Sequence, residues 1–96
     1  IELFYEEWSN RCRVTELWLK KERRRQGLGS KLMNFAKARA KEMGARMLIL
    51  ETQTSNADAI AFYLAQGFGV IGYDVTCYGD KDAERGEVRL ELGYRL

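Results

Sequence analysis

The hydrophobic positions of this chain fall into short runs with two different periods. Residues 1–8 are crowded with aromatic and β-branched side chains, Ser9-Asn10 marks a turn, and residues 13–20 resume with Val14, Leu17, Trp18 and Leu19. That pattern predicts an antiparallel hairpin. Beyond it, Leu28, Leu32, Phe35, Ala36, Arg39 and Met43 recur at helical intervals, and Gly44 stands where a helix C-terminus would place it. Residues 47–52 (MLILET) form a short apolar run bounded by polar residues, the mark of a buried strand. A strand, a helix and another strand make a βαβ unit, so the two flanking strands are expected to be parallel.

Ser55 followed by Asp58 has capping-box spacing and opens a second predicted helix through Ala59, Ile60, Phe62, Tyr63 and Leu64, which Gly67 ends. Residues 68–78 read as a strand in which Gly69 and Gly72 suggest a bend or bulge. Residues 79–86 form a charged loop. Val88, Leu90, Leu92 and Tyr94 then alternate with Glu87, Arg89, Glu91 and Gly93, as a half-buried antiparallel strand would. The predicted order is ββαβαββ, an α/β fold with a mixed sheet.

Composition narrows the function classes. The chain has 96 residues, enough for one domain, and is 46% hydrophobic and 31% charged, the balance of a soluble globular protein. No apolar run approaches the ~18 residues of a membrane span. His is absent, which excludes Ser-His-Asp and Cys-His catalysis and His-ligated metals; no metal is expected. Cys12 and Cys77 lie far apart with no secretory signal before them, so they read as reduced thiols of a cytoplasmic protein. The first residue is Ile1 rather than Met, inside strand-like sequence, and residues 1–96 are expected to be a single domain trimmed at its N-terminus.

Charge is unevenly spread. Residues 20–46 hold ten Lys and Arg against Glu22 and Glu42, a surplus of +8, so the remainder must carry −6 to give the net +2 of the chain. One block is suited to an anion and the rest to a cation. The basic block is also compatible with a module that binds nucleic acid or another polyanion through its phosphates.

The informative segment within that block is Arg24-Arg25-Gln26-Gly27-Leu28-Gly29-Ser30, between a predicted strand and a predicted helix. Glycines at i and i+2 allow close approach of the backbone to a ligand. The first-turn N–H groups of the helix and its dipole then favour negative charge, which makes a phosphate cradle. The spacing matches neither G-x-x-x-x-G-K-[ST] nor G-x-G-x-x-G, since position 32 is Leu32.

Here the sequence resembles a known family. Arg24-x-x-Gly27-x-Gly29 after a strand is similar to the [RQ]-x-x-G-x-[GA] motif of the GCN5-related N-acetyltransferases (GNAT), where it binds the pyrophosphate of acetyl-CoA. Downstream, Asn56-x-x-Ala59-x-x-Phe62-Tyr63-x-x-x-Gly67-Phe68 is similar to a second stretch of that family. Leu50-Glu51-Thr52-Gln53, Gly72-Tyr73-Asp74 and Tyr78 further resemble its streptothricin acetyltransferase branch. The resemblance implies the C-terminal portion of an acyl-CoA N-acyltransferase fold, without the family's opening strand, helices and second strand.

It also implies a set of roles. Acetyl-CoA is the implied co-substrate, held by Arg24, Arg25, Gln26, Gly27, Leu28, Gly29 and Ser30, by the backbone of Leu17, Trp18 and Leu19, and by Asn56, which could equally be a helix cap. The acceptor is an amine, which arrives protonated at neutral pH and needs a base. Glu51 matches one base position of the family and Glu16 its rival. Each could instead simply pair with an Arg. Tyr63 matches the general acid, with an ordinary core tyrosine as the plain alternative. Asp74 and the other carboxylates outside residues 20–46 suggest a small cationic acceptor, streptothricin-like or aminoglycoside-like. A CoA-binding piece without activity is a further reading, as is a homodimer; no membrane partner is expected.

Overall fold

The computed structural model describes residues 2–16, 27–74 and 88–96. Its elements follow the predicted order: β1 (Glu2–Glu6), β2 (Arg11–Glu16), α1 (Leu28–Glu42), β3 (Met47–Gln53), α2 (Ala57–Ala65), β4 (Gly69–Asp74) and β5 (Arg89–Arg95). The strands form one mixed sheet in the order β1-β2-β3-β5-β4. Residues 17–20 and 75–78, expected to lengthen β2 and β4, lie outside the described residues. No described helix is long and apolar enough to cross a membrane. The chain divides into two compact units, Ile1–Ile49 with Arg95–Leu96, and Leu50–Tyr94.

In the first unit, β1 and β2 pair antiparallel with Leu3 opposite Val14 and Tyr5 opposite Cys12. Asn10 takes the left-handed φ of 52° that the turn requires, a conformation Asn tolerates better than most side chains. Residues two apart on a strand share a face, so Cys12 and Val14 are buried together, while Phe4, opposite Arg13 on the other face, is exposed. That opposite face is polar: Glu6 accepts hydrogen bonds from Arg13 (3.2 Å), Arg11 (3.4 Å) and Ser9 (3.2 Å). Strand β2 then pairs with β3 in parallel, Cys12 opposite Leu48 and Arg13 opposite Ile49, as the βαβ reading requires.

Helix α1 corrects one expectation. Its buried residues are Gly29, Met33, Ala36 and Ala40, whereas Phe35 is 59% exposed. The packed stripe therefore runs one position away from the one marked by Leu32, Phe35 and Arg39. Three of its four members are small, which allows a closer approach to neighbours than large side chains would. The helix ends as expected: Gly44, at φ 82°, donates to Lys41 O and Ala45 donates to Ala40 O, the paired bonds of a Schellman cap.

In the second unit the buried side chains include Leu50, Phe68 and Leu92. Strand β4 pairs antiparallel with β5 and carries a bulge between Val70 and Gly72, as the strand glycines suggested. Of the two caps that the sequence offers for α2, one is found. Asn56, not Ser55, is the N-cap: its Oδ1 accepts from Ala59 N at 3.3 Å, while Ser55 Oγ donates to Gln53 Oε1 at 3.2 Å. Asp58 still contributes as an acid in the first turn, where the helix dipole favours it.

At its C-terminus α2 closes like α1. Gly67 (φ 93°) donates to Leu64 O and Phe68 donates to Tyr63 O. The hydrophobic contact that accompanies this cap is here aromatic, with Phe68 and Tyr63 ring centroids 6.0 Å apart. A Cβ on Gly67 would stand 3.1 Å from the Tyr94 ring, whereas one on Gly44 would meet nothing within 4 Å. Gly44→Ala is therefore expected to cost about 1 kcal/mol for the left-handed backbone alone. Gly67→Ala should cost more, because Tyr94 must also shift. Urea denaturation of both variants tests this; equal losses would show that the Tyr94 contact is of no consequence.

Candidate active site

Among the described residues, no side chain caps the start of α1. Gly27 is the N-cap, with φ 75° and no side-chain cap bond, and the first turn (Leu28, Gly29, Ser30) holds no acid. A Cβ on Gly27 would meet nothing within 4 Å, so its left-handed backbone, rather than lack of room, calls for glycine here. Gly29 is buried at the head of the packed stripe. The first-turn N–H groups of any α-helix lack intrahelical partners and carry partial positive charge. Helix α2 resolves the same problem internally, with Asn56 and Asp58. Asn56 is exposed and its side-chain oxygen is already engaged by Ala59 N.

Several expected site residues lie outside the described residues: Leu17, Trp18, Leu19, Arg24, Arg25, Gln26 and Tyr78. Glu16 closes β2, with Glu2 as its cross-strand partner, and its side chain is likewise outside the description.

Tyr63 sits on α2 among aromatic rings. Its ring meets Phe62 edge-on at 5.4 Å and Phe68 at 6.0 Å, and Phe68 in turn stacks at a tilt on Tyr94 at 5.7 Å. The tyrosine is half-buried. Burial pushes its phenol above the ordinary value, since the phenolate would lose hydration in these apolar surroundings. At neutral pH the hydroxyl is a proton donor. The Phe62-Tyr63-x-x-x-Gly67-Phe68 motif thus has a local structural purpose, the closing of α2, as well as any chemical one.

Glu51, on β3, forms an ion pair with Arg89 at the head of β5. Arg89 is held from its own strand by Glu91 Oε1, which accepts from Nε at 3.0 Å and from Nη2 at 2.6 Å. Asp74 is the cross-strand partner of Arg89 in β4, so two of the expected site residues flank the same position. Arg89 and Glu91 had been read only as the solvated face of an alternating strand. In fact they are half-buried, because the guanidinium is shared between carboxylates of adjacent strands. Sequence periodicity carries no sign of such pairing, which joins residues distant in the chain.

Comparison with known proteins gives this geometry a context. A family model described as Acetyltransferase (GNAT) family matches residues 1–68, a span that includes both motifs. The streptothricin acetyltransferase of Streptomyces lavendulae is 35% identical over 88 residues, covering 92% of this chain and 46% of that protein. A solved nourseothricin acetyltransferase is 35% identical with a TM-score of 0.87, covering 97% of this chain and 54% of its own. A Bacillus anthracis str. Ames structure assigned as a streptothricin acetyltransferase, in complex with acetyl coenzyme A, is 31% identical with a TM-score of 0.87 and covers 98% and 53%. The chain spans about half the length of these relatives.

The Tyr63 environment has a measurable consequence. A phenol raised above its ordinary value of 10.0 favours the folded state while protonated. That contribution is complete below the unfolded value and is lost as pH rises through the folded one. Urea midpoints should therefore fall more steeply above about pH 10 in the unaltered protein than in Tyr63→Phe. Parallel midpoint curves would show that Tyr63 is as hydrated folded as unfolded.

Proposed function

Because the chain belongs to the GNAT acetyltransferase family, we propose that it forms the acetyl-CoA-binding part of a cytoplasmic N-acetyltransferase whose acceptor is a primary amine on a small, streptothricin-like cation. The observation that carries this reading is the start of α1, uncapped by any side chain and without an acid in its first turn. A helix end left positive in this way fits a phosphate group. The preceding Arg24 and Arg25 add charge suited to a pyrophosphate. The names of the relatives support the acceptor class, and the bound acetyl coenzyme A of one of them supports the donor.

In this reading the amine nitrogen attacks the thioester carbonyl carbon, a C–N bond forms and the C–S bond breaks. Glu51 accepts the proton that the incoming ammonium must lose before its nitrogen is nucleophilic. Tyr63 gives its phenolic proton to the departing thiolate and regains one from the attacking nitrogen, which sheds its second proton as the amide forms. Backbone N–H groups of residues 17–19 stabilise the developing oxyanion. Gly27, Leu28, Gly29 and Ser30 bind the pyrophosphate, and Asn56 fixes the start of α2. Asp74 adds negative charge for the cationic acceptor.

Two variants test the assignment. Gly29 is buried, so a new charge is better placed at Ser30, the third residue of α1. Ser30→Asp should leave thermal stability equal or raised, since an acid in the first turn suits the dipole. It should also weaken CoA binding at least about ten-fold by repelling the phosphates. Calorimetry showing undiminished CoA affinity in the folded variant would remove the site from α1.

Tyr63→Phe should lower kcat by roughly 10²–10⁴-fold, the range for loss of a general acid, with CoA affinity nearly unchanged. Wild-type turnover in that folded variant would reduce Tyr63 to its packing role.

A further inference from the structure

We propose that Arg89 is the positioning residue for Glu51, and that Glu91 holds Arg89 in the place where it can do so. This inference rests on the reading of Glu51 as the base.

Glu51 has a side chain that is 47% exposed. A carboxylate so exposed would sample several rotamers without a restraint, and a base that must meet one amine proton works best from a single one. Arg89 supplies the restraint. Its guanidinium is planar and permanently charged, with donors in a fixed fork, so it can hold several acceptors at set angles. Two of its nitrogens bind Glu91 Oε1, at 3.0 and 2.6 Å. Glu91 lies two residues along the same strand and therefore on the same face. With the fork fixed from β5, Nη2 is presented across the sheet to Glu51 on β3, the neighbouring strand. Each member is held by a regular strand rather than a loop, which limits the play in the chain Glu91–Arg89–Glu51.

The same geometry sets the charge around the base. Arg89 brings one positive charge to a place where Glu51 and Glu91 contact it and Asp74 is its cross-strand partner. The surplus is negative and suits a cationic acceptor, but Arg89 itself repels that acceptor. Removing the guanidinium should therefore act on turnover and on acceptor binding in opposite directions. Loss of correctly folded enzyme would not produce that split, since it lowers apparent kcat and leaves KM alone.

Steady-state kinetics with acetyl-CoA and a streptothricin-type cationic amine test this. Arg89→Gln is expected to lower kcat roughly ten- to a hundred-fold, the cost of a misplaced reacting group. The acceptor KM should be equal or lower and the acetyl-CoA KM unchanged. Circular dichroism checks the fold; if Arg89→Gln does not fold, Glu91→Gln, which loosens the same guanidinium, should lower kcat several-fold with the same KM pattern. A folded Arg89→Gln or Glu91→Gln with wild-type kcat, or with a raised acceptor KM alone, would overturn the positioning role while leaving the proposed function standing. Glu51→Gln separates the two levels. Turnover retained in that variant overturns Glu51 as base and this inference with it, and no transfer by the unaltered protein to any cationic amine overturns the proposed function itself.

Discussion

The parallel pairing of β2 with β3 is the constraint on which the rest of this structure depends. Parallel neighbours cannot be joined by a tight turn, and the chain must travel back along the sheet before the second strand can begin. Here α1 makes that return journey. A helix that runs back between parallel strands starts at the edge where the first strand ends, so its positive terminus is delivered to the carboxyl edge of β2 by topology alone. In open α/β sheets ligands collect at that edge for this reason. The register of Cys12 with Leu48, buried on both strands, keeps the helix from slipping relative to the edge it serves.

The two helices answer the same physical question in different ways. Both end in a glycine at positive φ followed by a Schellman bond pair, because a helix C-terminus gains from satisfying its carbonyls whatever the helix is for. At the N-terminus they part. Helix α2 has a side-chain cap in Asn56 and an acid in Asp58, while α1 begins at a glycine with no acid in its first turn. A cap of the α2 kind on α1 would add about 1 kcal/mol of stability. Its absence leaves the first turn of α1 without a side-chain cap. Local stability conceded at one helix start is the kind of inconsistency that marks a functional position.

How much of this was legible in the sequence depended on the range of the interaction involved. Strand and helix order, the parallel pair and both helix-ending glycines follow from local patterns, and all are found. The buried face of α1 was placed only in part: Ala36 lies on it as expected, but a hydrophobicity count also favours Phe35, while the close-packed stripe takes in Gly29 and Ala40, whose merit is small size. The α2 cap was left between Ser55 and Asn56 because both are good caps, and the hydrogen bond to Ala59 chooses Asn56. Arg89 was missed for a different reason. Its importance lies in contacts with Glu51 across the sheet and Glu91 along it, and no local pattern distinguishes it from an ordinary exposed arginine of an alternating strand.

The environments of the two groups assigned to proton transfer differ in the direction their chemistry requires. Tyr63 is surrounded by Phe62 and Phe68, rings that solvate a charge poorly, and burial there keeps the phenol protonated. Glu51 lies half-exposed against the Arg89 guanidinium. One unit of the chain thus holds an apolar setting around Tyr63 and a charged one around Glu51. The rings that protect the Tyr63 proton are the same ones that close α2 over Gly67, so a change made to tune the acid would also disturb the end of the helix that carries it.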